Sequence, residues 1–161
     1  MITTIHAQAT PELDKTLSLF TKAYLVSISQ AHKKRFEKTN ISYVVYNGID
    51  TNLYAYEQHK DDYLLWLGRL PKAKAANGSF VDPKGVRWAI QLAQETSNKL
   101  LLSGNVEDIE FFNQDVKPHL NDKIQWVGPI SSEQSLTKQE VVKLMQKAKA
   151  FLMTINWYEP F

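Results

Sequence analysis

The sequence contains no cysteine, which excludes disulfide bonds, zinc thiolate sites and cysteine nucleophiles. It also lacks any apolar run near the ~20 residues that a membrane-spanning helix needs, and Met1 is not followed by the segments of a secretory signal. We therefore expect a cytoplasmic protein. An excess of charge is missing as well, since 19 basic residues stand against 17 acidic ones. Such a balance does not indicate a nucleic-acid partner.

Several catalytic signatures are absent too. There is no Gly-x-Gly-x-x-Gly for a dinucleotide, residues 78–84 lack the Gly-Lys-Ser/Thr of a P-loop, and no Gly-x-Ser-x-Gly elbow occurs. His32, His59 and His119 show no metal-ligand spacing, and no paired aspartates stand at a strand end. We therefore expect no metal site. The 43% hydrophobic and 22% charged residues that are present suit an ordinary globular protein with one respectable core.

Apolar periodicity predicts strands that alternate with helices. Strands are predicted over residues 2–6, 24–28, 41–46, 63–67, 99–103, 124–127 and 151–155. Helices are predicted from residue 11, over 30–38, 83–96 and 106–115, and after a capping box formed by Thr137 and Glu140. This alternation indicates βαβ units, so the predicted fold class is α/β with parallel sheets flanked by helices. Residues 51–62 have no clear periodicity and are interpreted as a connector between two bodies.

The most informative stretch is an apolar strand that ends in Gly68 and Arg69, followed later by Lys84 and Gly85 at the start of a helix. The first amides of a helix have no intrahelical partner, and the helix dipole favours negative charge there. Arg69 and Lys84 would add two cations, so we expect a diphosphate to bind. Ligands of such folds lie at the carboxyl ends of strands, where Gly68, Gly104, Gly128 and Asn156 are predicted to converge.

Six motifs occur in a recognisable order along the chain. They are Asn47-Gly48-Ile49-Asp50, Leu67-Gly68-Arg69, Lys84-Gly85, Ser103-Gly104, Trp126-Val127-Gly128 and Trp157-Tyr158-Glu159-Pro160-Phe161. Together they resemble the family-4 group of retaining glycosyltransferases, which have the GT-B architecture of two Rossmann-like domains. The resemblance covers nearly the whole chain. It implies that residues 1–50 end the acceptor domain, 51–62 connect the domains, and 63–161 begin the domain that binds the nucleotide sugar.

The resemblance is incomplete at three places. The family motif continues past Phe161 into a glycine and a second glutamate, and most of the family's acceptor domain would lie upstream of Met1. The loop over residues 71–82 is also longer than the usual gap in the family. Helix register favours Lys84 as the phosphate lysine, but Lys74 in this loop competes with it. The chain is therefore interpreted as an internal piece of a glycosyltransferase, and we expect the isolated chain to be inactive.

The resemblance implies transfer of a hexose from a nucleotide diphosphate sugar to an acceptor with retention of configuration, without a cofactor other than this donor substrate. Arg69 and Lys84 would stabilise charge on the leaving phosphate. Glu159 would orient the donor sugar through its hydroxyls, and His6 would face that sugar. The alternatives are a surface salt bridge for Arg69, a solvated carboxylate for Glu159 and an incidental position for His6.

The same resemblance places Gly68, Gly104, Val127 and Gly128 around the base and ribose, where glycine lets the backbone approach a ligand. Simple turn chemistry is an equal alternative for the glycines. A second function also stays open, namely a non-catalytic module that binds a nucleotide or sugar phosphate, or a subunit completed by a partner chain. An incomplete sheet leaves an edge and an apolar face, so self-association or a covering partner is expected. The sugar, the base and the acceptor are not indicated.

Overall fold

The computed structural model describes residues 1–161, which form two compact units with a parallel sheet in each. Unit 1 comprises Met1–Asp50 and Tyr158–Phe161, and unit 2 comprises Thr51–Trp157. The predicted α/β class, with parallel sheets flanked by helices, is confirmed. Tyr158–Phe161 lie in unit 1, whereas the resemblance assigned them to the second domain. No helix of the chain is both long and apolar enough to cross a bilayer.

Unit 1 contains a three-stranded sheet in the order β1-β2-β3. Its elements are β1 (Ile2–Ile5), α1 (Pro11–Leu17), β2 (Tyr24–Ser27), α2 (Gln30–Lys33) and β3 (Ile41–Val44). The helices are capped at their N-termini by Thr10 and Ser29, whose side chains accept hydrogen bonds from the amides of Leu13 and His32. One face of the sheet is packed around Ile5, Leu25 and Ile41. Large side chains on the other face are exposed, including Ile2, Tyr24 and Tyr43.

Helix α2 ends five residues before the predicted position: the amides of Arg35 and Phe36 bond carbonyls three residues back, and the next three amides bond Asp14 in α1. Its carboxylate accepts hydrogen bonds from the amides of Glu37, Lys38 and Thr39 at 2.8–2.9 Å. Those amides therefore cannot continue an α-helix. Burial raises the pKa of Asp14, but the hydrogen bonds from Thr39, Lys38 and Glu37 outweigh it, so the pKa is lowered overall.

Unit 2 contains a four-stranded parallel sheet in the order β6-β5-β4-β7. Its strands are β4 (Leu64–Leu67), β5 (Leu100–Ser103), β6 (Ile124–Trp126) and β7 (Ala150–Phe151). Helix α3 (Val86–Thr96) joins β4 to β5, and α5 (Lys138–Lys147) joins β6 to β7. Between β5 and β6, α4 (Ile109–Phe111) continues into a π-helical turn (Phe112–Val116) and a 3-10 turn (Lys117–His119). Counted within the unit, the strand order is 3-2-1-4, which is the Rossmann order.

The core of unit 2 lies mainly between the sheet and the α3–α4 side. There Trp66, Leu102, Ile90 and Phe111 are almost completely buried. On the other face, α5 packs through Leu144 and Ala148 against β4 and β5. Helix α5 begins with the predicted capping box, in which Thr137 and Glu140 each bond the backbone of the other, and that prediction is confirmed.

Candidate functional site

The candidate site lies at the carboxyl edge of the unit 2 sheet, where the strand order reverses between β4 and β7. In open α/β sheets, ligands bind in the crevice at such a reversal. Gly68 follows β4 here, and the segment 152–157 follows β7. The predicted convergence of β4 and β5 at this edge is seen directly, because the Gly68 amide donates to the Ser103 carbonyl at 3.0 Å.

Lys84 packs directly against the end of β4. A Cβ atom on Gly68 would lie 3.2 Å from the Cβ of Lys84. The turn at Lys84 is fixed by Trp66, whose indole N–H donates to the Lys84 carbonyl at 3.1 Å. Gly85 has a φ of +70°, and a side chain there would overlap the carbonyl oxygen of Thr154. The position therefore requires glycine, both for its backbone angle and for its close neighbour.

The segment after β7 holds this turn from the other side. The Thr154 hydroxyl donates to the Gly85 carbonyl at 2.7 Å, and the Asn156 amide donates to the Pro83 carbonyl at 3.0 Å. The Lys84 ammonium lies 5.1 Å from the centroid of the Trp157 ring. Such a distance permits a cation–π interaction. The turn before α3 and the segment after β7 thus form one hydrogen-bonded structure.

Lys74, the alternative phosphate lysine, has different neighbours. Its ammonium lies 3.1 Å from the Glu110 carboxylate and 4.5 Å from the centroid of the Phe80 ring. Phe80 belongs to the same loop as Lys74 and Glu110 to α4, whereas Lys84 is packed against Gly68. This arrangement favours Lys84 as the lysine of the candidate site.

Arg69 follows Gly68 directly and is exposed. One guanidinium nitrogen lies 3.5 Å from a carboxylate oxygen of Glu107. The surface salt bridge considered for Arg69 from the sequence is therefore present. An exposed pair of this kind is worth only about 0–1 kcal/mol. An anionic ligand would need to displace no more than this modest attraction to engage Arg69.

The first amides of α3 were expected to have no hydrogen-bond partner. For the first two of them this expectation is wrong. Asp82 is buried, and its carboxylate accepts from the amides of Val86 and Arg87 at 3.0 and 2.9 Å. A negative charge of the protein itself therefore occupies the position that was expected to attract a diphosphate. Any binding of an anion at this edge must rest on side-chain cations more than on these two amides.

The other glycines of the edge are explained by packing within the chain. A side chain on Gly104, whose φ is +146°, would overlap the carbonyl oxygen of Gly68. A Cβ on Gly128 would lie 2.9 Å from the Leu136 side chain. Val127 packs on the α5 side of the sheet and lines a cavity of about 850 Å³ there. The predicted roles of these residues around a base and ribose stay predictions.

Glu159 and His6 both lie in unit 1. His6 is exposed and follows β1 directly. Glu159 is half-buried and lines a cavity of about 80 Å³ together with Arg35 and Tyr158. The Arg35 guanidinium lies 3.8 Å from the centroid of the Tyr158 ring. The roles proposed for His6 and Glu159 toward a donor sugar are not tested by these positions.

Three contributors to the edge were not identified from the sequence. Asp82 has a usable local signal, because an Asp-Pro step just before a predicted helix is typical of a capping carboxylate. Thr154 and Trp157 lie close to Asn156, which was predicted to reach this edge, but the placement of β7 directly beside β4 follows from no local pattern. No group of three or more histidine, aspartate or glutamate side chains suited to a metal occurs in residues 1–161.

Neither a protein-family model nor a curated protein matches this sequence. Among solved structures, the chain is similar to the crystal structure of AviGT4, a glycosyltransferase involved in avilamycin A biosynthesis. The TM-score is 0.62 at 19% identity, and the match covers 84% of this chain. The chain spans only 38% of that protein's length. At this identity the likeness concerns the fold, so the chain shares a Rossmann-like α/β fold with part of a glycosyltransferase.

Proposed function

We propose that this chain is part of a retaining GT-B glycosyltransferase and that the carboxyl edge of unit 2 binds the diphosphate of a nucleotide sugar. The packing of Lys84 against Gly68 supports this proposal most strongly. It places Lys84 beside the residue that precedes Arg69, at the strand reversal where ligands of such sheets bind. The fold shared with a glycosyltransferase adds weight to the same proposal.

The proposed reaction breaks the bond between the anomeric carbon of a hexose and an oxygen of the diphosphate and forms a bond from that carbon to a nucleophilic atom of the acceptor, whose proton passes to the leaving diphosphate. Negative charge grows on the leaving phosphate as this bond breaks. Fixed cations therefore stabilise the transition state more than the ground state. We assign this work to Arg69 and Lys84, while Glu159 would bond the sugar hydroxyls and His6 would serve the same donor sugar.

The test is a calorimetric titration of the chain with UDP, GDP and ADP, repeated on Arg69→Ala and Lys84→Ala. Each substitution removes a charge-assisted contact worth about 1.5–3 kcal/mol, so we expect about 10- to 100-fold weaker binding. Lys149→Ala is the matched control. Lys149 precedes β7, at the opposite edge of the sheet, and pairs with Asp62 at 3.0 Å.

Saturable binding of one nucleotide, weakened by the two edge substitutions and unchanged by Lys149→Ala, would support the proposal. An equal loss in Lys149→Ala would indicate attraction to overall charge, and no binding of any nucleotide would overturn the proposed site. We further expect no transfer of sugar by the 161-residue chain alone. Product formed from a radiolabelled nucleotide sugar by the pure chain would contradict that expectation.

A non-catalytic module that binds a nucleotide or sugar phosphate is the second candidate function. It is favoured by one observation, namely that Gly68, Arg69 and Lys84 all belong to unit 2. The two candidates differ in their response to a complementing chain. A glycosyltransferase piece, or a subunit completed by a partner, should gain transferase activity when the missing part is supplied, whereas a binding module should only bind.

A further inference from the structure

We propose that Trp157 is a positioning residue whose indole ring holds the Lys84 ammonium at the carboxyl edge of unit 2. The proposal concerns a contact that neither the motifs nor the shared fold assigns. The contact of the Lys84 ammonium with a diphosphate rests on the proposed function. The contact of the Trp157 ring with this ammonium does not.

The geometry of the contact is suited to this role. The Lys84 ammonium lies 5.1 Å from the Trp157 ring centroid, within the ~6 Å over which the face of an aromatic ring attracts a cation. Tryptophan gives the strongest such attraction among the aromatic residues. Trp157 is half-buried, so the ring has a defined position on the protein.

The two backbones that carry this pair are tied together. The Thr154 hydroxyl donates to the Gly85 carbonyl, and the Asn156 amide donates to the Pro83 carbonyl. These bonds lie on both sides of Lys84 and immediately before Trp157. The backbone positions from which the ring and the ammonium meet are therefore set by the fold.

A ring differs from a carboxylate as a partner for a lysine at an anion site. The indole of Trp157 attracts the Lys84 ammonium through its quadrupole and adds no negative charge to the edge. Such a partner orients the cation and does not itself repel an anionic ligand.

The first experiment observes the contact without any ligand. Lysines of the full chain are reductively methylated with ¹³C, and the Lys84 signal is identified by its loss in Lys84→Arg. We expect an upfield ring-current shift that disappears in Trp157→Leu and is partly kept in Trp157→Phe. Lys60, 5.0 Å from the Tyr56 centroid, provides the matched control, since Tyr56→Leu should move the Lys60 signal and leave that of Lys84.

The second experiment measures nucleotide binding. In Trp157→Leu we expect about two- to five-fold weaker binding of the preferred nucleoside diphosphate, as the loss of one cation–π contact predicts. Trp157→Phe should recover part of this loss. In a Lys84→Ala background, Trp157→Leu should have no further effect, whereas a merely structural role would weaken binding again.

The outcomes separate the two proposals. No ring-current shift on Lys84, or a shift that survives Trp157→Leu, would overturn the inference. A shift that behaves as expected, in a chain that binds no nucleotide, would support the holding of Lys84 by Trp157 and overturn the proposed function. Normal nucleotide affinity in Trp157→Leu would overturn the role of the ring in binding.

Discussion

Asp82 provides the sharpest test of how the start of helix α3 is stabilised. Its carboxylate is buried and accepts from the amides of Val86 and Arg87 at 3.0 and 2.9 Å. Asp82→Ala leaves both donors without this partner and removes a negative charge from the positive end of the helix dipole. We therefore expect two opposite effects, a less stable unit 2 and a stronger attraction of external anions to α3.

The expected loss of stability follows from these contacts. Replacing a capping side chain by alanine costs about 0.5–2 kcal/mol. The lost interaction of a carboxylate with the helix dipole adds about 0.3–1 kcal/mol. We therefore expect Asp82→Ala to lower the free energy of unfolding by about 1–3 kcal/mol. Asp82→Asn keeps one acceptor oxygen and should lose roughly half as much, by the same reasoning.

Urea denaturation followed by tryptophan fluorescence is the appropriate assay, since all 4 tryptophans of the chain lie in unit 2. Asp122→Ala is the control, because it removes an equal charge from an exposed position of the same unit. Sulfate should then raise the midpoint of Asp82→Ala more than that of the wild type, as it binds the vacated amides. An unchanged midpoint in Asp82→Ala would refute the account of the capped helix.

Three further outcomes are expected. In unit 1, Asp14→Ala should speed amide exchange at residues 37–39, because their amides lose the Asp14 carboxylate as acceptor. Exchange that is equally slow in the variant would contradict this. Folding lowers the pKa of Asp14 from its ordinary value of 3.8. The stabilisation by Asp14 is therefore complete above pH 3.8 and is lost as the pH falls through the lower pKa of the folded state. Gly104→Ala should destabilise unit 2 by about 3 kcal/mol or more, since the alanine side chain would overlap the Gly68 carbonyl. A urea midpoint equal to that of the wild type would argue against this overlap. We also expect the exposed face around Tyr24 and Tyr43 to drive self-association that Tyr24→Ser reduces, and a monomer at high concentration in sedimentation velocity would oppose this expectation.

The strands were predictable because each is a short apolar run with a clear end. The run that ends at Gly68 predicts β4, and parallel pairing then requires the strand ends to meet at one edge. The capping box at Thr137 was likewise readable, because both partners lie within four residues of sequence. Local signals of this kind fixed the fold class and the position of the candidate cations.

The errors arose where a distant residue takes over a local hydrogen bond. Helix α2 was predicted to reach residue 38 but ends at Lys33, since the chain tightens there and Asp14 then accepts the amides of residues 37–39. Strand β7 was predicted over residues 151–155 but comprises only Ala150–Phe151. Beyond it, Thr154 and Asn156 donate to the turn before α3 and not to a neighbouring strand. No periodicity in the sequence records such partners.

The charge at the carboxyl edge illustrates the same limit in the candidate site. The sequence supplies Arg69 and Lys84 as candidate cations, but folding also brings Asp82 to the start of α3 and Glu107 to Arg69. An anion at this edge therefore meets carboxylates as well as cations. Affinity becomes a difference between these opposing terms. The contact of Lys84 with Trp157 matters in this balance, because an aromatic ring attracts the cation and carries no negative charge of its own.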